Sequence, residues 1–477
     1  MVAARFYKNA ARYRLERPEG MRLSSLEKIF GSQSFASALE RLIVVRAQIL
    51  LGALILSTWA MSPLGGQSSS RMLRFEGRKV ESYHPLHYDN RVYQYPVWGD
   101  SDIYELSASD IVQALYSGSL LSPKKQQRAF SDLWERPKIP QLPRDLIHAE
   151  SGRHWRAIDT DALQAGREQF TSLIGLNIQS PDFSDNTTQY EFDVESTYFS
   201  FDCRMIADTD STEVIGNITF WKPEFTTEHN KTNLLEVLPE YELEFSESFV
   251  ALLAYPMKDE TPPYLLYTSF STHGQAYSVF NCSMEMPSVE TKLICTAQGC
   301  SARKQRQVLG VRDNFLDIGS LLYQTQSAMD AWPSMTKVVR FRASATENFI
   351  ANDENVYANQ ELRNWTGIDE GMFSSQLTAA FNTAWEAGTD PYNITKGSSF
   401  SEPASNHADT WTNQTSAFVT RVEDVYSVNV AWAAILIFAT TVLQALAVGG
   451  LVLRCLIRGP DVLGFASTLT RDNRFVP

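Results

Sequence analysis

The sequence is poor in histidine and cysteine, the side chains that most often hold transition metals or act as nucleophiles. It has seven histidines and five cysteines in 477 residues. The short motifs of nucleotide-binding proteins, serine hydrolases and zinc proteases (G-x-x-x-x-G-K-[ST], G-x-G-x-x-G, G-x-S-x-G and H-E-x-x-H) are absent from it. The sequence therefore predicts no cofactor, no metal site and no catalytic residue.

Charged side chains are missing from two long stretches. Val430–Leu453 has none, and Leu42–Met61 has only Arg46. At about 1.5 Å per helical residue, each stretch is long enough to cross a hydrocarbon core of roughly 30 Å. We predict transmembrane helices at residues 42–66 and 428–453.

A cleaved signal peptide is the alternative for the first stretch. About forty residues precede the stretch, Arg46 interrupts it, and Pro63 follows its best cleavage site, so a retained helix is favoured. Pro63, Gly65 and Gly66 are expected to end this helix at the membrane surface.

Positive charge is concentrated at the two ends of the chain. Residues 1–48 carry a net charge of +5 and residues 454–477 of +2, whereas the segment between them carries −20. Lys and Arg are enriched on the cytoplasmic side of membrane helices, so both termini are predicted to be cytoplasmic. Residues 67–427 are then lumenal or extracellular. The protein as a whole is predicted to lie in the plasma membrane or in a membrane of the secretory pathway. Such an acidic segment argues against nucleic acid as a partner.

The basic segment 1–41 has two interpretations. Its arginines and lysines could bind anionic cytoplasmic lipids along a helix. The favoured interpretation is a solvated flank that fixes the topology. Residues 454–477 form the cytoplasmic tail, where Cys455 is a candidate for palmitoylation and an unmodified thiol is the alternative.

Seven N-x-[ST] sequons lie between the two apolar stretches, against about three expected by chance. Their asparagines are Asn186, Asn217, Asn230, Asn281, Asn364, Asn393 and Asn413. Glycosylation at these positions would place the whole segment outside the cytoplasm.

The segment between the helices is predicted to be α+β. Residues 67–150 are an extended, Tyr- and Pro-rich part with one helix near Ser107–Tyr116, and residues 151–427 are β-rich. Tyr190–Val194 alternates apolar and acidic residues, as a half-buried strand does. Tyr264–Thr272 and Tyr277–Met284 suit a hairpin.

Four cysteines in the middle segment suit two disulfides in an oxidising compartment. Cys295 and Cys300 flank the predicted four-residue hairpin loop Thr296–Gly299, so they are the favoured pair. Cys203–Cys282 follows by elimination, and it is one of three connectivities that four cysteines allow.

Two acidic triplets and one histidine pair were weighed as sites. Asp159-Thr-Asp161 and Asp208-Thr-Asp210 have the D-x-D form that holds a metal and a nucleotide sugar in glycosyltransferases. No nucleotide-binding pattern surrounds them, and such triplets are common in a chain with 55 acids. His84 and His87 flank a proline in extended chain, where a surface role is favoured over a metal site.

Two helical stripes were singled out. Phe373, Leu377, Phe381 and Trp385 recur every four residues, which is typical of a core-facing helix. In the second apolar stretch, Thr441, Gln444, Ala445 and Gly449 form a small and polar face. We predict that this face packs against the first helix, another membrane helix or a second copy of the chain.

Several phrases of the sequence together resemble one family. They are Gly31-Ser-Gln-Ser34, Ser37-Ala-Leu39, Ser62-Pro-Leu-Gly-Gly-Gln67, Trp134-Glu-Arg-Pro-Lys-Ile-Pro140, Ser172-Leu-Ile-Gly175, Tyr198-Phe-Ser-Phe-Asp-Cys203, Asn281-Cys-Ser283, Pro460-Asp-Val-Leu-Gly464 and Thr468-Leu-Thr-Arg-Asp-Asn473. Through them, most of the chain resembles uncharacterised integral membrane proteins of filamentous ascomycete fungi. The resemblance implies a large lumenal domain between membrane helices, further helices upstream and a longer tail. It implies no catalytic residue.

These observations favour a non-enzymatic membrane glycoprotein that interacts with other molecules. Its predicted partners are the lipid bilayer and either other membrane helices or further copies of the chain, and the sequence identifies no lumenal partner. A lumenal enzyme acting on glycans, with Asp159, Asp161, Asp208 or Asp210 at its site, is the first alternative. A subunit of a transport assembly is the second.

Overall fold

The computed structural model describes residues 2–31, 34–44, 49–89, 103–147, 149–179, 185–222, 230–238, 248–255, 262–270, 276–308, 319–336, 342–357, 361–389, 391, 394–396 and 412–459. The chain divides into two compact units. The helix unit comprises residues 1–78 and 423–477, and the sheet unit comprises residues 79–422.

The described helices are α1 (Val2–Leu15), α2 (Leu23–Gly31), α3 (Phe35–Val44), α4 (Ile49–Arg71), α5 (Ile103–Leu121), α6 (Lys124–Gln127), α7 (Thr160–Ala165), α8 (Thr212–Gly216), α9 (Leu234–Val237), α10 (Gly319–Ala331), α11 (Ala345–Ile350), α12 (Glu370–Thr389) and α13 (Val430–Leu456). The described strands are β1 (Leu73–Asp89), β2 (Arg156–Ala157), β3 (Ile178–Gln179), β4 (Thr188–Thr197), β5 (Ser200–Thr209), β6 (Thr219–Lys222), β7 (Asn230–Asn233), β8 (Phe249–Ala254), β9 (Tyr264–Phe270), β10 (Tyr277–Glu285), β11 (Ser288–Thr296), β12 (Gly299–Val308) and β13 (Thr412–Val428). This mixture of helix and antiparallel sheet agrees with the predicted α+β class.

Two of the described helices, α4 and α13, are long and apolar enough to cross a membrane. Only 17% of the apolar window of α4 and 11% of that of α13 is buried inside the protein, so neither is the core helix of a water-soluble bundle. The bounds differ from the predicted 42–66 and 428–453, most of all for the first helix.

Pro63 lies inside α4 and does not end it, contrary to the prediction from the sequence. Proline removes one backbone donor, and an apolar helix can tolerate that loss. The helix continues through Pro63 to Arg71. In its last turn, after Pro63, the hydroxyls of Ser69 and Ser70 donate to the carbonyl oxygens of Gly66 (2.9 Å) and Gln67 (3.0 Å).

The N-terminal helix α1 packs along α4 and α13 within the helix unit. Ala3, Tyr7 and Ala11 form its buried face, and the amide of Asn9 donates to the carbonyl of Gly450 at 3.0 Å. The carboxylate of Glu16 accepts hydrogen bonds from the backbone N–H of Arg458 (3.1 Å) and of Gly459 (2.8 Å). The expectation of a solvated basic flank is therefore wrong for this face of α1.

The sheet unit is built on antiparallel sheets. A seven-stranded sheet has the order β2-β12-β11-β4-β13-β1-β3, a four-stranded sheet the order β5-β10-β9-β8, and β6 pairs with β7. The division between the two units falls inside β1 and β13. The helix expected near Ser107–Tyr116 is present as the longer α5, whose inner face joins the core of this unit.

Alternation along the strands decides which side chains enter the core. Tyr190, Phe192 and Val194 of β4 are buried while the acidic residues between them are only partly covered, as predicted. In the four-stranded sheet both faces are apolar, and β8 is a continuous run (Phe-Val-Ala-Leu-Leu-Ala). Such runs are typical of strands covered on both sides.

Helix α12 covers one face of the four-stranded sheet with its aromatic stripe. Phe373, Leu377, Phe381 and Trp385 are all buried, which confirms the predicted core face. The ring of Phe373 stacks on that of Phe280 with centroids 4.0 Å apart, and Phe381 contacts Phe201 edge-on at 5.4 Å.

A second stripe of α12, which is polar, closes the open edge of the same sheet. Strand β5 is at the edge. The outward N–H groups of alternate residues, from Phe199 directly before the strand onwards, donate to side chains spaced four apart on α12. The pairs are Phe199 with Asn382 (3.0 Å), Phe201 with Thr378 (3.1 Å), Cys203 with Ser374 (3.0 Å) and Met205 with Glu370 (3.0 Å). Four helical residues rise about 6 Å and two strand residues about 6.8 Å, so the spacings match. A helix thus takes the place of a further strand and protects the edge.

Candidate functional site

Six of the seven predicted glycosylation sites lie among the described residues, all in turns or strands or beside them. The exposed asparagines are Asn186, Asn217, Asn281 and Asn364. Asn230 begins β7 and Asn413 lies near the start of β13, half-buried, while Asn393 lies outside the described residues. The loop of Asn364 is ordered locally, because its side-chain oxygen accepts from the N–H of Thr366 at 2.9 Å.

Both disulfides have the predicted pairing. Cys203 and Cys282 lie directly opposite each other on β5 and β10, and Cys295 and Cys300 on β11 and β12. The predicted four-residue loop is wrong, because Thr296 and Gly299 already pair and only two residues form the turn. Gly299 has a φ of +113°, a conformation that favours glycine.

The four acids considered for a glycan-acting site have largely structural surroundings. Asp159 caps α7, where its carboxylate accepts from the N–H of Ala162 at 2.9 Å. Asp208 accepts from the hydroxyls of Ser278 (2.9 Å) and Thr366 (3.0 Å). All four acids are exposed, Asp159 and Asp208 as well as Asp161 and Asp210. Among the described residues no group of three histidine, cysteine or acidic side chains could hold a metal ion.

His84 and His87 both belong to β1. Successive side chains of a strand point to opposite faces, so two residues three positions apart face opposite sides of the sheet. Their spacing therefore gives no shared metal site on this strand.

The most concentrated chemistry of the sheet unit is a buried polar cluster on α11, the short helix at Ala345–Ile350, all of whose residues are buried. Glu347 is its centre. The carboxylate accepts from the backbone N–H of Ser344 at 2.7 Å and from the hydroxyls of Ser344, Ser248 and Ser269. Burial raises the pKa of Glu347, and these hydrogen bonds oppose the rise.

The residues on either side of Glu347 extend the cluster. Thr346 hydrogen-bonds with the hydroxyl of Tyr116 at 2.8 Å, and that hydroxyl accepts from the indole N–H of Trp332 at 2.9 Å. Asn348 accepts from Nε of Arg363 at 2.8 Å and donates to the carbonyl of Val356 at 2.7 Å. The cluster ties α11 to α5, to β9, to the residue before β8 and to the segment after α11.

Within this cluster the hydrogen-bonding capacity is almost fully used. Glu347 is 0% exposed, so its carboxylate faces serines and not solvent, and the arrangement fits a role in specifying the fold. The sequence reasoning missed it. The available signal was Ser344-x-x-Glu347, which is a capping box in the structure.

Two of the phrases that carried the family resemblance meet in the structure. The carboxylate of Asp132 accepts from the N–H groups of Trp134 (2.8 Å), Arg136 (2.9 Å) and Gly175 (2.8 Å). A side chain at Gly175 would collide with the carbonyl of Arg136, so this close approach requires glycine. Trp134–Pro140 and Ser172–Gly175 therefore form one packing unit.

Lys138 is the charged centre of this unit, and it is 1% exposed. Its ammonium donates to the carbonyls of Gln126 (3.0 Å) and Gln127 (2.7 Å) and lies 4.4 Å from the centroid of the Phe170 ring. Burial lowers the pKa of Lys138 to about 7, although the Asp132 carboxylate opposes that shift.

The small and polar face predicted on α13 is divided in the structure. Gly449 lies against α1, where a Cβ would be 3.0 Å from the ring of Phe6, whereas Thr441, Gln444 and Ala445 are exposed. Each four-residue step advances about 40° around a helix, so Thr441 and Gly449 are about 80° apart. Gly449 thus contacts α1, which the prediction did not name as a partner, and the packing of this face against another membrane helix or a second copy stays a prediction. Cys455 is a free, exposed cysteine near the end of α13.

No protein-family model matches this chain, and neither a curated protein nor a solved structure does.

Proposed function

We propose that this chain is an integral membrane glycoprotein that works by interaction and not by catalysis. Helices α4 and α13 span the membrane, both termini are cytoplasmic, and the sheet unit is a glycosylated domain on the lumenal or extracellular side. The observation that carries the proposal is the exposure of α4 and α13. Apolar helices this long and this little covered by their own chain need a non-aqueous solvent.

Three further features support the same arrangement. The sheet unit lies between the two helices in the chain and carries both disulfides, which form in oxidising compartments. Four of its sequon asparagines are exposed. Arg454 and Arg458 follow α13 while Glu423 and Asp424 precede it, in the sense expected for a cytoplasmic C-terminus.

The proposal of interaction, and not catalysis, rests on the placement of the acids. Asp159 and Asp208 are engaged in a helix cap and in hydrogen bonds within the sheet unit, and Glu347 is enclosed in the core. The resemblance to fungal membrane proteins implies the same architecture and supplies no activity.

Glycosylation of the full chain in yeast membranes tests the architecture. The protein should stay in the membrane during alkaline extraction and lose mass on treatment with peptide-N-glycosidase. Asn186→Gln and Asn364→Gln should each remove one glycan. As a matched control, a sequon inserted in the exposed turn at residues 16–20 should stay unmodified. Modification of the inserted sequon, or extraction at alkaline pH, would contradict the proposed topology.

The interaction role has a separate test. The double variant Asp161→Asn/Asp210→Asn alters one acid of each D-x-D triplet and spares Asp159, which caps α7, and Asp208, which accepts from Ser278 and Thr366. It should replace the wild-type chain fully in cells that lack their own copy. A correctly folded and glycosylated variant that fails to do so would favour the glycan-acting enzyme.

A further inference from the structure

A short two-stranded ribbon adjoins α4 and α13 within the helix unit. It consists of residues 73–78 of β1 and residues 423–428 of β13, and these strands are neighbours in the sheet order. The N–H of Asn429 donates to the carbonyl of Met72 at 2.8 Å, and the rings of Phe75 and Tyr426 meet edge-on at 5.6 Å. Phe75 and Tyr426 therefore lie on the same face of the ribbon.

That face is apolar and open. Strand side chains repeat their direction every two residues, so Leu73 shares the face of Phe75, and Val428 shares that of Tyr426. The exposed fractions are 51% for Leu73, 64% for Phe75, 73% for Tyr426 and 55% for Val428.

The opposite face is mostly polar. It carries Arg74, Glu76 and Arg78 on β1, and Glu423, Val425 and Ser427 on β13. Asp424 shares the face of Tyr426 and Val428 but lies at the end of the ribbon away from α13, so the ribbon is amphipathic over the residues nearest the two helices. Four exposed apolar side chains on one face of the ribbon, Leu73, Phe75, Tyr426 and Val428, are expected to contact another surface.

We propose that the apolar face of the ribbon lies in the interfacial layer of the lipid bilayer, on the non-cytoplasmic side. This inference rests on the proposed function, in which α4 and α13 span the membrane. The position of the ribbon in the chain identifies lipid as the surface that covers its apolar face. Leu73 follows the end of α4 by two residues, and Val428 precedes the start of α13 by two. The ribbon therefore joins the apolar run of α13 directly and joins that of α4 through the polar last turns at residues 65–71.

The neighbouring side chains fit an interfacial position. Trp432 lies in the first turn of α13, and the guanidinium of Arg71 is 5.4 Å from the centroid of its ring. Tryptophan and tyrosine gather at membrane interfaces, where the ring is apolar and the polar atom meets headgroups and water. Tyr426 and Trp432 would thus form part of one aromatic belt.

The test uses the full chain with Cys455→Ser, which leaves the four disulfide cysteines as the rest of the cysteine content. Single cysteines are introduced by Tyr426→Cys or Phe75→Cys on the apolar face. Ser427→Cys and Arg74→Cys are the matched controls on the polar face. Each is labelled with an environment-sensitive fluorophore in phosphatidylcholine nanodiscs that hold one copy.

A phospholipid with a nitroxide near its headgroup should quench the labels at 75 and 426 at least twofold more than those at 74 and 427. A water-soluble nitroxide should give the reverse order. Equal access of the water-soluble quencher to both faces would overturn the proposal. Protection of positions 75 and 426 from the lipid nitroxide would also overturn the proposal. This holds even if the protection appears only in discs that hold two copies of the chain.

A label at Phe438→Cys, in the middle of α13, separates this inference from the proposed function. A nitroxide deep in the acyl chains should quench it strongly. If that quenching fails, the spanning arrangement itself is wrong. If it succeeds while positions 75 and 426 are reached only from water, the ribbon stands clear of the membrane and only the further inference falls.

Discussion

The two units of the chain place apolar side chains in opposite ways. In the sheet unit, the aromatic side chains of α12 and the four-stranded sheet interlock and are almost completely buried. In the helix unit, α13 leaves Ile437 65% and Phe438 60% exposed, and its core cluster is small and relies on Ala3, Tyr7 and Ala11. Hydrophobic content alone therefore does not define a core. A core forms where the chain supplies its own covering surface, as in the sheet unit, whereas the covering that we propose for α13 is lipid.

The polar groups of the two units differ in the same sense. The sheet unit buries Glu347, Lys138 and the N–H groups of β5, and pairs them with serines, carbonyls and the side chains of α12. On α13 the exposed hydroxyls of Thr440 and Thr441 bond back to carbonyls of their own helix, at 2.8 and 2.7 Å. Such self-satisfied hydroxyls suit a helix with an apolar solvent.

The largest expected difference between the units is in the stability lost when one phenylalanine ring is removed from each. Phe373→Ala removes a ring that is 0% exposed and stacked on Phe280, so the free energy of unfolding of the sheet unit should fall by about 4 kcal/mol. Phe438→Ala on α13 leaves no cavity in the protein and should change it by less than about 1 kcal/mol. Denaturant unfolding of the full chain in detergent, followed by tryptophan fluorescence, measures both. Equal losses would erase the distinction between the two units.

The second prediction concerns pH. The pKa of Lys138 is about 7 in the folded protein, against about 10.5 for an unfolded lysine. Between these values the unfolded chain binds a proton that the folded chain has released. The free energy of unfolding of the protein should therefore rise with pH, by about 2 kcal/mol between pH 7 and pH 9.

Lys138→Met should remove this rise, since it deletes the titrating group. Lys125→Met, at an exposed lysine of α6, is the control and should leave the pH dependence unchanged. Denaturant midpoints measured at pH 7, 8 and 9 report the slope. An unchanged slope in Lys138→Met would show that this buried ammonium keeps an ordinary affinity for its proton.

Structural features that depend on residues close together in the chain could be predicted from local sequence patterns. The uncharged run of α13, the alternation of β4, the aromatic stripe of α12 and the Cys295–Cys300 pairing all follow from periodicity or short spacing. The polar stripe Glu370-Ser374-Thr378-Asn382 has the same four-residue spacing as the aromatic one. It was missed because polar residues at helical spacing gain meaning only from the β5 edge, which lies about 170 residues away in the chain.

One error is local and another comes from distant contacts. Pro63 was expected to end α4, but proline removes only one backbone donor, and the helix continues through it to Arg71. The basic helix α1 was expected to be solvated, since its charges are evident in the sequence. Its inner face of Ala3, Tyr7 and Ala11 finds a partner only when α4 and α13 are adjacent. Glu347 could not be distinguished from 54 other acids without the serines that surround it.

The third prediction tests the helix that takes the place of a strand. Thr378→Val keeps the shape of the side chain but leaves the N–H of Phe201 without its acceptor. A buried unpaired donor should cost about 1–3 kcal/mol of unfolding free energy. Thr378→Ser retains the hydroxyl and should lose less. If valine is tolerated as well as serine, α12 protects the β5 edge by covering it and not by hydrogen bonding.

The smallest expected effect is at Tyr267, whose buried hydroxyl has no hydrogen-bond partner among the described residues. Tyr267→Phe should leave the free energy of unfolding unchanged or raise it slightly, because it removes an unsatisfied polar atom. Tyr116→Phe is the matched comparison in the same core, and it should cost about 1–2 kcal/mol because it leaves the indole N–H of Trp332 without an acceptor. Denaturant unfolding of the two variants in parallel measures the difference. A loss at Tyr267 equal to that at Tyr116 would mean that both hydroxyls are satisfied, and that the polar core of the sheet unit extends further than the α11 cluster.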